Sequence, residues 1–66
     1  MKGSVFMKGY TVTNSIDTIN AYCNDPEKFE KWQLRIAIED AKVHYEHGNA
    51  SETWYNYVVS RLSDYI

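Results

Sequence analysis

The chain has 66 residues, 44% of them hydrophobic and 24% charged, with a formal charge of −2 and one cysteine. That balance is too apolar for a disordered chain, and the length admits one small domain without an internal disulfide. No run approaches the roughly 20 apolar residues that span a bilayer and no segment has the order of a signal peptide, so no membrane association and a cytoplasmic location are expected.

In chain order, Met1-Lys2-Gly3 is echoed by Met7-Lys8-Gly9, which marks Met7 as an alternative start and the first six residues as an extension. Tyr10-Thr11-Val12-Thr13 alternates and is rich in β-formers, but a short segment with no partner strand makes no sheet. Residues 1–13 therefore read as a flexible or extended N-terminal arm, and residues 14–66 as a single small helical domain. Asn14 and Ser15 offer a cap for a short first helix, in which Ile16, Ile19 and Cys23 recur at helical spacing before Asn24-Asp25-Pro26 breaks it. On the apolar side of that helix, Cys23 reads as a small buried hydrophobe rather than a nucleophile.

The segment from Asp25 to Gly48 reads as one long central helix. Asp25 suits the cap, Pro26 the first helical position, and Gly48 a left-handed stop after His44 and His47. At about 100° per residue, Phe29, Trp32, Ile36 and Val43 fall on one side. Leu34, Ala37, Ile38, Ala41 and Tyr45 fall nearly opposite. An ordinary surface helix has one apolar stripe, so the second needs either a neighbouring helix or another molecule to cover it. Asn49 with Glu52, or Ser51, caps a third helix that runs to the end of the chain. Its broad apolar side holds Trp54, Tyr55, Val58, Val59, Leu62, Tyr65 and Ile66. The expected fold is all-α, a short first helix, a long central helix and a C-terminal amphipathic helix. A chain this short often gains stability by association, so a homodimer is expected as well.

The chemistry is sparse. Asp40, His44 and His47 stand at helical spacings that put a carboxylate and two imidazoles on one side, ligand types that zinc or non-haem iron accepts. An Asp40–His44 pair, with both imidazoles near the helix C-terminus, accounts for the same spacing without a metal, and no cofactor is expected. With no Gly-rich phosphate loop and no Ser or Cys beside a recognisable base, catalysis is not expected. Lys28, Lys31, Arg35 and Lys42 share one wedge of the central helix and could follow a phosphate backbone. Glu39 and Glu46 interrupt that wedge and the chain is net acidic, which reads instead as a solvated face laced with ion pairs and argues against direct nucleic acid binding.

What remains is a non-enzymatic protein-interaction module that associates with itself and with a protein partner. Its expected contact face is Phe29, Trp32, Ile36 and Val43, rimmed by Lys28 and Arg35, because aromatic anchors beside cations suit an interface. With a start near Met7, a capped helix from Asp25, an amphipathic helix ending at Ile66, many aromatics and no catalytic motif, the chain resembles the short early or accessory proteins of lambdoid and other tailed bacteriophages. That resemblance implies a protein that binds and modulates a host or phage protein. The alternative reading is a small nucleic-acid-associated transcriptional regulator or an antitoxin-like protein.

Overall fold

A computed structural model describes residues 12–66, which form an all-α fold with no strand among them. The order is α1 (Ile16–Asn24), a 3-10 turn (Pro26–Lys28), α2 (Lys31–Glu46) and α3 (Glu52–Ser63). The arm expected at the N-terminus falls mostly on residues 1–11, outside the described residues.

Ser15 opens α1: its hydroxyl accepts from the Thr18 N–H at 3.2 Å, so Asn14 is left for another task. Ile19, Tyr22 and Cys23 point α1 into the core. At its other end the Arg61 Nε–H of α3 donates to the Cys23 carbonyl oxygen at 2.8 Å, satisfying an acceptor the helix cannot satisfy itself.

The continuous helix expected from Asp25 is interrupted. Pro26 begins a 3-10 turn rather than an α-helix, Phe29 is extended at φ −122° and ψ 154°, and the helix starts again at Lys31. Two interactions favour the break. Gln33 Oε1 accepts the Glu30 N–H at 2.9 Å, half of a capping box that gives Glu30 the cap position expected for Asp25. The extended Phe29 turns its ring onto Tyr22 of α1, edge to face, with centroids 4.3 Å apart.

The end of α2 follows the expectation closely. Gly48 has φ +79°, the left-handed conformation that costs other residues most, and Asn49 N–H bonds the His44 carbonyl at 2.9 Å while Gly48 N–H bonds that of Tyr45 at 3.0 Å. This Schellman turn uses Asn49, so Ser51 caps α3 through the Trp54 N–H at 3.1 Å. The short connection returns α3 along α2, where Tyr45 and Tyr55 stack with centroids 5.4 Å apart and nearly parallel rings. Ile19 and Cys23 of α1, Leu34, Ala37 and Ala41 of α2, and Val58 and Leu62 of α3 are all buried in one core. The two alanines let the neighbouring helices approach α2 closely, and the aromatics Phe29, Trp54, Tyr55 and Tyr65 close the edges of that core. A further tie crosses from α3 to α1, where Trp54 Nε1–H donates to Asn20 Oδ1 at 2.8 Å.

Candidate docking surface on the central helix

Among the described residues, only one of the two apolar sides of α2 is covered. Leu34, Ala37 and Ala41 are buried between α1 and α3, whereas on the other side Trp32 keeps 60% and Ile36 37% of its surface exposed. Val43, one turn from the end, is half-buried on the same side. Phe29 leaves this face because of the break before Lys31 and packs against Tyr22 instead. Lys28 leaves it too, in the 3-10 turn, where its ammonium lies 3.4 Å from the Asp25 carboxylate. Arg35 remains beside Trp32 on the exposed surface of α2.

Next to the strip lies an open groove of about 180 Å³, lined by Thr13, Asn14, Tyr22, Trp32, Gln33 and Ile36. Its far wall is the segment that leads into α1, and four hydrogen bonds hold that wall in place. The Asn14 backbone N–H and its Nδ2–H both donate to Asp40 Oδ2, at 2.8 and 3.0 Å. Tyr22 donates its hydroxyl to Asn14 Oδ1 at 3.2 Å. His44 Nε2 lies 3.0 Å from the Asn14 carbonyl oxygen, and since a carbonyl only accepts, the proton of this bond sits on Nε2. Asp40 is fully buried, and a carboxylate taken from water is tolerable only where donors surround it in this way.

Two of the three candidate metal ligands are therefore engaged with the same asparagine. His47 is exposed at the C-cap of α2, and among the described residues no group of three His, Cys, Asp or Glu side chains is arranged to hold a metal ion. Burial raises the Cys23 thiol above its ordinary value near 9.0, the Arg61 guanidinium opposing the shift only in part, so the thiol stays protonated at neutral pH.

The charged flank of α2 also departs from expectation. Lys31, Arg35, Glu39, Lys42 and Glu46 are exposed along one edge of the Trp32 strip, yet none is ion-paired within the described residues. Their order is unfavourable within the helix. Arg35 precedes Glu39 and Lys42 precedes Glu46 by four positions, the weaker orientation of such pairs. Lys31 stands in the first turn and Glu46 in the last, each against the helix dipole, at a cost of about 0.3 to 1 kcal/mol apiece.

The role of Asn14 was readable only in part. Asn14 looks locally like a cap, and nothing near it announces a partner 26 residues away. Asp40 carried the clue, since it stands between Ala37 and Ala41 on the inward side of an amphipathic helix, where a charge needs a donor. No family model, curated protein or solved structure matches this chain.

Proposed function

We propose that the chain is a small, non-enzymatic, cytoplasmic interaction module whose working surface is the open strip of α2 and the groove beside it. One observation carries this reading: α2 leaves Trp32 and Ile36 exposed while Leu34, Ala37 and Ala41 on its opposite side are fully buried. A solvent-facing tryptophan beside an apolar groove with fixed walls offers what an interface anchor requires, a large area held by few torsions. Asn14, Tyr22, Asp40 and His44 spend their polar atoms on fixing the groove wall, which suits a binding surface better than a reaction centre. In the setting of a phage accessory protein, docking through this surface serves to alter the activity of a host or phage protein.

The test compares capture by the immobilised full chain with capture by its Trp32→Ala variant, each first checked for helix content by circular dichroism. A protein retained by the first and lost by the equally helical second supports the reading. Identical retention by both would place the working surface elsewhere.

A further inference from the structure

The occupant of this face is written in the charges beside it. The geometry points to a second copy of the same chain, docked strip to strip with the two α2 helices antiparallel. This rests on the docking surface proposed above and names its occupant.

At about 100° per residue, Trp32, Val43 and Ile36 lie within a narrow arc, and Lys31, Arg35, Glu39, Lys42 and Glu46 form the adjoining arc on one side. The side chains of Asn14 and Thr13 bound the strip on the other, through the groove that they line with Trp32 and Ile36. In an antiparallel pair related by a twofold axis, each edge of the strip meets the same edge of its copy, running the opposite way. Laying the strip on its own reverse sets Trp32 against the second copy's Val43, with Ile36 and Glu39 nearest the axis. That register, chosen only to overlap the apolar residues, brings Arg35 opposite the second copy's Glu39, and Glu39 opposite the second copy's Arg35. It also sets Lys42 beside the second copy's Trp32, whose ring face attracts a cation. Lys31 falls level with position 44 of the second copy, midway between its Lys42 and Glu46.

A parallel pair would instead place the charged edge against the Asn14 edge and leave five charges without partners. The antiparallel pair also accounts for an order that is unfavourable inside one helix. Lys31 and Arg35 near the N-terminus of α2, and Glu46 at its C-terminus, oppose that helix's own dipole. Against an antiparallel neighbour, each end lies beside the opposite end of the other helix, so the mismatch within one copy becomes complementarity between two.

The experiment measures the solution mass of the full chain by light scattering over a concentration series, for the wild type and for Arg35→Glu and Glu39→Arg. Both positions are exposed, so helix content should be unchanged. The wild type should approach twice the 7.7 kDa chain mass. Each reversal places two like-charge pairs in the interface and should weaken the dimer about tenfold or more. An equimolar mixture of the two variants should regain it, since every Glu then meets an Arg. A wild type that stays monomeric at all concentrations overturns the second copy and leaves the strip to a foreign partner. A dimer that ignores both reversals but is lost in Trp32→Ala overturns the antiparallel register while sparing the surface. A dimer that survives Trp32→Ala as well overturns both.

Discussion

The fully buried and the outward positions of α2 use apolar residues in opposite order of size. Fully buried are Leu34, Ala37 and Ala41, with Ile38 and Tyr45 half-buried beside them, whereas outward the helix presents Trp32, Ile36 and Val43. If folding alone had chosen the residues, the largest would be inside, because a buried aromatic ring removes far more surface from water than an alanine does. The small inward residues bring α1 and α3 close; the large outward ones contribute little to a single chain. One helix thus serves two ends, closeness on one side and contact area on the other.

That contrast breaks first at Leu34. Replacing it by Ala should cost about 2 to 5 kcal/mol, enough to unfold much of a domain this small, as a lost or strongly lowered thermal transition by circular dichroism would show. If Leu34→Ala and Trp32→Ala lowered the transition equally, the two sides would not differ as described. Asp40→Asn is next, since it keeps the shape but weakens the acceptor that holds Asn14. A loss of about 1 to 3 kcal/mol is expected, with faster amide exchange at Asn14 as its local sign. Ser51→Ala removes the cap of α3 and should cost about 1 kcal/mol, read from the midpoint of a urea titration.

Trp32→Ala should cost about 1 kcal/mol or less in the isolated chain, with its main effect on association. Its fluorescence sharpens the same contrast. Trp54, held by Asn20, should be shielded from an aqueous quencher, and Trp32 accessible until the strip is covered. Replacing Trp32 by Phe should therefore remove most of the quenchable emission. The smallest effect is that of Cys23. Its folded value is raised, so the folded chain keeps the proton where the unfolded chain has lost it. The contribution is intact below the ordinary value near 9.0 and is lost as pH rises from there through the folded value. A Cys23→Ala variant should show a flatter decline of stability across that alkaline range in urea titrations at successive pH values.

The helices, their order and most of their caps were legible because they depend on neighbours in sequence. Ser15, Ser51 and Gly48 act within one turn of their own positions, and the 3.6-residue pattern of Leu34, Ala37 and Ala41 marks the core side of α2. The break at Phe29 was not legible. Asp25-Pro26-Glu27 is a good helix start, and it lost to the Glu30–Gln33 cap and to the Phe29–Tyr22 ring contact, the second of which exists only once α1 is in place. The contact face was legible at Trp32 and Ile36, while Phe29 and Lys28 left it for the same reason. The wall of the groove was hidden because Asn14 bonds to residues 26 and 30 positions away, and local patterns carry no such range.

Those long ties have a consequence in time. Beyond its own caps and the local Phe29 contact, α1 is fastened by Asp40, His44, Trp54 and Arg61, at Asn14, Asn20 and Cys23. All four fasteners are made after α1 during synthesis, and two of them belong to the last helix. Of these three helices, α1 emerges from a ribosome before the other two yet is the last that can be secured, and until Arg61 arrives its Cys23 carbonyl lacks its eventual donor. The hairpin of α2 and α3, joined by a short turn, can close as soon as it is made, and the nascent α1 must wait for it.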